Sequence, residues 1–135
     1  MKNVPLEVPT TRKVVIVDDD KVILGVAGQL LRAAGFEVAT YAGKTERLNF
    51  IVREEPDLLL IDVNMPFLQG NKIVDLMKQD DRLSRIPVVF FSSDEDADLQ
   101  LLVTETGAQG FIRKCDVNTG FSARVSRFID APRSL

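Results

Sequence analysis

Residues 14–20 read Val-Val-Ile-Val-Asp-Asp-Asp, a short apolar run that ends in three carboxylates. A similar pattern recurs at 58–62, where Leu-Leu-Leu-Ile precedes Asp, and at 88–93, where Val-Val-Phe-Phe precedes two serines. Continuous apolar runs of this length are typical of central parallel strands that are covered on both faces. Segments 36–40 and 111–113 alternate instead, which is typical of strands with one wetter face at a sheet edge.

Stretches with helical spacing separate the five predicted strands. The residues that mark the inward faces of the five helices are Ile23, Val26, Ala27, Leu30, Leu31 and Ala34; Leu48, Ile51 and Val52; Ile73, Leu76 and Met77; Leu99, Leu102, Val103 and Thr106; and Phe121, Val125, Phe128 and Ile129. The alternation of strands and helices predicts right-handed crossovers and a three-layer α/β sandwich. The pattern leaves the order of the strands in the sheet open.

Capping residues predict where several helices begin and end. Asp20 is placed to cap the first helix and Gly35 to end it, and Pro56 should stop the second. Gly107 should end the fourth helix. The cap of the fifth helix is predicted at 118–119, on either Asn118 or Thr119.

Composition bounds the function classes. The chain has 135 residues, 45% of them hydrophobic, and a net charge of −3, which suits one domain and argues against direct nucleic-acid binding. The absence of His excludes catalytic triads that contain histidine and metal sites with histidine ligands. The single Cys excludes an intrachain disulfide. No apolar run approaches the ~18 residues of a membrane helix. We therefore expect a cytoplasmic domain over 12–130, with a loose extension at 1–11, a tail at 131–135 and no membrane contact.

Polar residues follow the predicted strands at the points where the strands end. Asp18 and Asp19 follow the first run and Asp62 the second, whereas Ser92 and Lys114 follow the later strands. The carboxyl ends of parallel strands meet at one edge of the sheet, where ligands bind. A single Asp after a strand is usually a cap or a turn former, but four segments delivering such groups to one edge indicate a functional site.

The residue types at this edge favour a divalent cation and phosphoryl chemistry. Neighbouring carboxylates repel one another, and a hard cation such as Mg²⁺, which prefers oxygen ligands and few carboxylates, relieves that repulsion. A lysine beside such a cation suits an incoming phosphoryl group. An aspartate carboxylate can act as a nucleophile and form an acyl phosphate.

Four segments in this order, 14–20, 56–66, 87–93 and 107–114, resemble the receiver domain of two-component response regulators, including the chemotaxis regulators. The resemblance runs from about Arg12 to Ile129. It implies a flavodoxin-like (βα)5 fold with a parallel five-stranded sheet in the order 2-1-3-4-5. It also implies a protein of two-component or phosphorelay signal transduction.

The resemblance assigns a role to each residue at the predicted edge. Asp62 would accept a phosphoryl group from a sensor histidine kinase or a phosphotransfer protein, and Ser92 and Lys114 would bind the phosphoryl oxygens. Mg²⁺ or Mn²⁺ would be held by Asp19, Asp62 and the backbone carbonyl of Asn64, and by Asp18 either directly or through a bound water. Such a protein is a signalling phosphoacceptor that catalyses only its own phosphorylation and dephosphorylation, not an enzyme with a separate substrate.

Other positions carry two interpretations each. Phe111 matches the aromatic switch that, with Ser92, reshapes the helix 4–strand 5–helix 5 face for a downstream protein partner, or it is simply a core residue of an edge strand. Asn64 and Asp94 match positions that influence dephosphorylation, but Asp94 could instead cap the fourth helix. Phe67 and Leu68 could contact a partner or pack over the next helix.

One departure from the family pattern concerns the residue after Lys114, which is usually Pro and is Cys115 here. Because a cis bond before a non-proline residue is costly, the Lys114–Cys115 bond is either trans with a rearranged loop or strained. A redox role for Cys115 is disfavoured because no second cysteine could resolve it.

Three alternatives to a phosphorylated receiver stay open at this point. A pseudo-receiver would act as a protein-binding module without phosphorylation, with Cys115 as its only support. A phosphatase of the haloacid dehalogenase type would need an Asp at position 64, which is Asn64 here. A flavin-binding protein would need a phosphate loop after the first strand, and that loop is acidic. The sequence is also compatible with either a stand-alone receiver or a piece of a longer protein.

Overall fold

Short apolar segments and amphipathic segments alternate along the chain and form strands and helices in turn. A computed structural model describes residues 11–42, 49–64 and 70–130. The strands are β1 Lys13–Val17, β2 Glu37–Tyr41, β3 Leu58–Ile61, β4 Val88–Ser92 and β5 Gly110–Arg113. The helices are α1 Lys21–Ala33, α2 Asn49–Glu54, α3 Gly70–Lys78, α4 Asp96–Thr106 and α5 Phe121–Asp130, with a 3₁₀ turn at Lys114–Asp116. The predictions for 1–10, Leu48, Phe67, Leu68 and 131–135 lie outside the described residues.

The five strands form one parallel sheet in the order β2-β1-β3-β4-β5, which confirms the order that the resemblance implied. All residues of β3 and β4, and all but the first of β1, are buried, as the continuous apolar runs predicted. β2 and β5 lie at the two edges and keep partly exposed faces. Both ends of each observed strand lie within one residue of the predicted ends.

Side chains that alternate along the strands feed two separate cores, one on each face of the sheet. On one face, Val15 and Val17 of β1 pack with residues of α2, α3 and α4. On the other face, Val14 and Ile16 pack with residues of α1 and α5. The sheet is therefore the middle of three layers. Within the described ranges, no helix has the length and apolar character needed to cross a bilayer.

Two of the predicted helix ends are confirmed in detail at α1. The side chain of Asp20 accepts hydrogen bonds from the backbone N–H groups of Val22 at 2.9 Å and Ile23 at 3.3 Å. Gly35 follows the helix with φ of +98°, a conformation that glycine adopts without steric cost. The Asp20 cap thus fixes the turn that connects β1 to the start of α1.

At the other predicted ends the outcome is mixed. α2 ends at Glu54, before Pro56 as predicted, and Gly107 ends α4 with φ of +80°. The predicted cap of α5 at Asn118 or Thr119 is wrong. The helix begins one residue later, at Phe121, and the carbonyl of Gly120 accepts the first helical hydrogen bond, from Arg124.

Two helices bury the predicted face only in part. In α1 Ala27 and Leu31 are buried as predicted, and Leu24 and Gly28 are buried with them, whereas Leu30 is 36% exposed and Ala34 is an exposed cap residue. In α3 Ile73 and Met77 are buried as predicted, but Leu76 is 45% exposed because Val74 takes the inward position. Both helices carry more apolar residues than one face needs, so spacing alone did not decide which of them face the core.

Candidate functional site

Four strand ends bring polar side chains to the carboxyl edge of the sheet, as predicted. Asp18 follows β1, Asp62 follows β3, Ser92 ends β4 and Lys114 follows β5. The last residues of β1 and β3 are register partners, so Asp18 and Asp62 occupy equivalent positions on neighbouring strands. The cluster of Asp18, Asp19, Asp62 and Lys114 at this edge is called the acidic site below.

Backbone hydrogen bonds fix the two buried carboxylates of the acidic site. The N–H of Asp18 donates to the carbonyl of Tyr41 at 3.0 Å, and the N–H of Asp62 donates to the carbonyl of Val17 at 3.0 Å. The Asp18 side chain accepts a further bond from the N–H of Asp20 at 2.9 Å. Asp18 is fully buried and Asp62 is only 4% exposed. The sheet ladder therefore continues past the strands and sets the positions of both side chains.

Lys114 supplies the positive charge of the acidic site. Its Nζ lies 2.8 Å from Asp18 Oδ2 and 3.3 Å from Asp62 Oδ2, so one ammonium joins the two carboxylates. The same Nζ lies 5.9 Å from the centre of the Phe91 ring, within range of a cation–π contact. The buried aromatic ring beneath it limits the directions in which the ammonium can point.

The residue after Lys114 does not prevent this contact. Among the described residues every peptide bond is trans, which includes the bond between Lys114 and Cys115. The chain turns directly into the 3₁₀ segment Lys114–Asp116, and the Cys115 side chain is exposed. Of the two conformations considered for this bond, the trans form is therefore the one observed, and Lys114 still reaches Asp18 and Asp62.

Burial and charge act in opposite directions on the acidic site. Burial raises the pKa of Asp18 to about 6, although the contact with Lys114 and the hydrogen bond from Asp20 favour the charged carboxylate. Burial also acts to lower the pKa of Lys114, but the contacts with Asp18 and Asp62 outweigh it, and the pKa is raised. Lys114 is therefore an ammonium at neutral pH, and the site keeps a cation next to its two buried carboxylates.

The donor set of the acidic site fits a hard divalent cation. One carboxylate oxygen from each of Asp18, Asp19 and Asp62 lies within 4.8 Å of the other two. Asp18 Oδ2 is buried, and its counter-charge within the described part of the chain is the Lys114 ammonium at 2.8 Å. One ammonium against three carboxylates leaves two negative charges, which a divalent cation would balance.

A chain of hydrogen bonds connects Asp62 to Ser92 across the site. The N–H of Asn64 donates to Asp62 Oδ1 at 3.1 Å, and the Asn64 side-chain amide donates to both carboxylate oxygens of Asp94 at 3.1 Å. The N–H of Asp94 donates to Ser92 Oγ at 3.1 Å. Because Asp94 binds Asn64, and Glu95 is the N-cap of α4 without a side-chain bond, the interpretation of Asp94 as that cap is wrong.

A model of the response regulator receiver domain matches residues 14–123, which include the five strands except the first residue of β1. The chain belongs to this family.

Two relatives of this chain differ from each other in length. This chain is 32% identical over 120 residues to the transcriptional regulatory protein PrrA of Mycobacterium tuberculosis, in an alignment that covers 89% of this chain and 51% of PrrA. It is 26% identical over 124 residues to the polar-differentiation response regulator DivK of Brucella ovis, covering 92% of this chain and 95% of DivK. The receiver thus spans about half the length of PrrA and nearly all of DivK.

Solved structures of receivers share the fold. The chemotaxis protein CheY4 of Vibrio cholerae superimposes with a TM-score of 0.73 at 25% identity, covering 86% of this chain and 99% of that one. A receiver domain from Clostridium thermocellum gives a TM-score of 0.75 at 26% identity, covering 88% of this chain and 94% of that one. These similarities agree with the strand order observed in the sheet.

The predicted switch residue of the receiver, Phe111, lies away from the carboxyl edge. It is the register partner of Phe90 and packs, half-buried, against the core beneath α4. Its outer side lines a cavity of about 460 Å³ together with Arg124, Arg127 and Phe128. The core contact of the simpler interpretation is present, and the role of Phe111 as a switch stays a prediction.

The prediction of the site missed Arg113, the last residue of β5. Its guanidinium lies 3.4 Å from Asp96 Oδ1 and 3.9 Å from Glu95 Oε2, at the start of α4. Two signals in the sequence pointed to it. β5 alternates, so Arg113 shares a face with Phe111, and four of the five residues at 94–98 are acidic and need a cation nearby.

Proposed function

We propose that this receiver accepts a phosphoryl group on Asp62 from the phosphohistidine of a histidine kinase or phosphotransfer protein. The observation that carries the proposal is the environment of the Asp62 carboxylate. One of its oxygens is oriented by the N–H of Asn64, and the other lies 3.3 Å from the Lys114 ammonium. The carboxylates of Asp18 and Asp19 complete the group. A carboxylate held by a backbone N–H beside a single ammonium suits in-line attack on phosphorus.

In the proposed transfer, a carboxylate oxygen of Asp62 attacks phosphorus while the bond between phosphorus and the histidine nitrogen breaks. The electron pair of that bond leaves with the imidazole, and Asp62 becomes an acyl phosphate. In dephosphorylation, a water oxygen attacks phosphorus, the Asp62 carboxylate is the leaving group, and inorganic phosphate is released. Because no other substrate is consumed, we class the chain as a signalling phosphoacceptor and not as an enzyme with a separate substrate.

Electrostatic stabilisation does most of the work in such a transfer. Lys114 would bind one phosphoryl oxygen with its ammonium and Ser92 another with its hydroxyl. Asp18, Asp19, Asp62 and the Asn64 carbonyl would hold Mg²⁺, or Mn²⁺ in its place. The bound cation would supply two positive charges beside the phosphoryl oxygens. The surplus of negative charge, three clustered carboxylates against one ammonium, supports this assignment.

We further propose that Ser92 and Phe111 transmit the modification to the face formed by α4, β5 and α5. Ser92 is fully buried, and its hydroxyl is held by the N–H of Asp94. A shift of Ser92 towards a phosphoryl group would break that bond and move the segment that leads into α4. Phe111 packs against the core beneath α4 and also lines a cavity, so a rotation of its ring would change the shape of this face. A downstream protein that binds this face would sense the change.

The intact mass of the protein after incubation with acetyl phosphate and Mg²⁺ tests the proposal. We expect the parent protein to gain one phosphoryl group, and Asp62→Asn or the parent in EDTA to gain none. Asp57→Asn is the matched control, because Asp57 precedes β3 at the opposite edge of the sheet, where it accepts from the N–H of Lys13 at 2.8 Å. A folded parent without a mass gain would contradict the proposal and favour a pseudo-receiver. A gain on Asp62→Asn would move the acceptor elsewhere.

A further inference from the structure

The start of α4 carries an unusual concentration of negative charge. Residues 94–98 read Asp-Glu-Asp-Ala-Asp and are called the acidic run; they follow Ser92 almost directly. Negative charge near a helix N-terminus is favourable by itself. The N-cap residue Glu95, however, makes no side-chain cap bond, so the usual local anchor of a first helical turn is missing.

Arg113 is the cation that contacts the acidic run. Its Nε lies 3.4 Å from Asp96 Oδ1 and its NH2 lies 3.9 Å from Glu95 Oε2. Within the described ranges, these are the ion pairs that the acidic run makes. The Arg113 side chain is 27% exposed, whereas the side chains of Asp96 and Glu95 are 70% and 80% exposed, so these ion pairs lie at the surface.

The position of Arg113 in the sheet connects this contact to the acidic site. Arg113 is the register partner of Ser92 on the neighbouring strand β4. The next residue, Lys114, contacts Asp18 and Asp62. Two consecutive cations at the end of β5 therefore serve two negative groups, with Lys114 on the acidic site and Arg113 on the acidic run.

We propose that Arg113 is a positioning residue, which holds the start of α4 against the end of β5 and thereby keeps the Ser92–Asp94 segment beside Asp62. The acidic run and the acidic site repel each other, and a phosphoryl group on Asp62 would increase that repulsion. Without Arg113 the run would move outwards. The bonds from Asp94 to Ser92 and from Asn64 to Asp94 would then be made less often. The effect on phosphoryl chemistry rests on the proposed function, whereas the positioning effect does not.

Amide hydrogen exchange of the unmodified protein tests the positioning effect. We expect Arg113→Gln to speed exchange of the amides of residues 93–98 by about two- to fivefold, the range that a partly exposed ion pair provides. Asp96→Asn should act similarly but less strongly because Glu95 stays paired. The double variant should exchange no faster than Arg113→Gln, since both changes remove the same contact. Arg113→Lys, which keeps the charge, should restore part of the protection.

The matched control for the exchange measurement is Arg124→Gln. Arg124 also pairs with a carboxylate, Asp116 at 3.5 Å, but it lies on α5 and does not touch the acidic run. We expect unchanged exchange over 93–98 in this variant. Unchanged exchange in folded Arg113→Gln would overturn the proposal. So would an equal increase in Arg124→Gln, or an additive increase in the double variant.

The lifetime of the acyl phosphate gives a second, independent measurement. After phosphorylation with acetyl phosphate, Arg113→Gln should lose its phosphoryl group about two- to fivefold faster than the parent, with Arg113→Lys in between. A parent that takes up no phosphate would defeat the proposed function, while the exchange measurement would still decide the role of Arg113. Faster exchange with an unchanged lifetime would overturn the link between the acidic run and Asp62.

Discussion

Two clusters of charged residues in this molecule use the same residue types but balance their charges differently. In the first, which we call the Lys13 cluster, Glu54 accepts hydrogen bonds from Lys13 Nζ at 2.5 Å and from the Tyr41 hydroxyl. Lys13 also lies 3.5 Å from Glu37, and Arg53 donates to the Tyr41 oxygen at 3.3 Å. Each carboxylate of the Lys13 cluster therefore has a cationic partner.

The acidic site lacks that balance. Asp18 and Asp62 share the single ammonium of Lys114, and Asp19 lies beside them with no ion pair in the described part of the chain. The Lys13 cluster ties β1, β2 and α2 together and is complete without a ligand. The difference indicates that charge left unpaired at a fixed geometry, more than the number of carboxylates, distinguishes a binding site from a structural network.

The largest effect that separates the two clusters should be on the affinity for Mg²⁺. We expect Asp19→Asn to weaken Mg²⁺ binding by about tenfold or more, because it removes one charged oxygen donor from the proposed ligand group. Glu54→Gln makes the same chemical change in the Lys13 cluster and should leave the affinity unaltered. Titration calorimetry on both variants measures this contrast. Equal affinities in the two variants would show that the acidic site is not where the cation binds.

The sequence specified the acidic site better than it specified the helices. Strand ends follow from apolar runs that are buried on both faces, and all parallel strands end at one edge. The sequence pattern alone therefore places Asp18, Asp62 and Lys114 together. The cap formed by Asp20 is equally local, because it depends on the two N–H groups that follow it.

Features that depend on packing between distant segments could not be predicted in the same way. Leu24 and Leu30 both lie on plausible faces of α1, and only the position of the neighbouring β2 and α5 decides which one is buried. Of the two interpretations of Asp94, the helix cap considered only backbone groups close to it in the chain, whereas its observed partner, Asn64, comes from another loop. The strand order also came from the resemblance and not from the periodicity.

The next largest effect should be on stability, and it belongs to the Lys13 cluster. We expect Glu54→Gln to lower the free energy of unfolding by about 1 kcal/mol at neutral pH, because Lys13 loses its nearest counter-charge. Urea unfolding of parent and variant measures the difference. Asp57→Asn, the corresponding change of a carboxylate to an amide, is a control for losing a carboxylate near β1, because Asp57 accepts from the backbone N–H of Lys13.

This stability difference should depend on pH with a defined sign. The hydrogen bonds from Lys13 and then from Tyr41 lower the pKa of Glu54 below its ordinary value of 4.5. The stability that a carboxylate with a lowered pKa contributes is present above the unfolded-state value and is lost as the pH falls through the folded-state value. The gap between parent and Glu54→Gln should therefore be constant from about pH 6 to 8 and shrink below about pH 4.5. A gap that widens in acid would contradict this account.

The smallest effect has the opposite sign and belongs to the acidic site. In EDTA, we expect Asp19→Asn to raise the melting temperature by about 1 to 3 °C, because it removes one of the unbalanced negative charges. Added Mg²⁺ should reverse the order of the two proteins, since a cation that binds only the folded state stabilises the parent more than a variant with weakened affinity. Thermal unfolding with and without Mg²⁺ measures the crossing. If Asp19→Asn melts lower than the parent in EDTA, Asp19 is already balanced without a cation, and the contrast drawn between the two clusters fails.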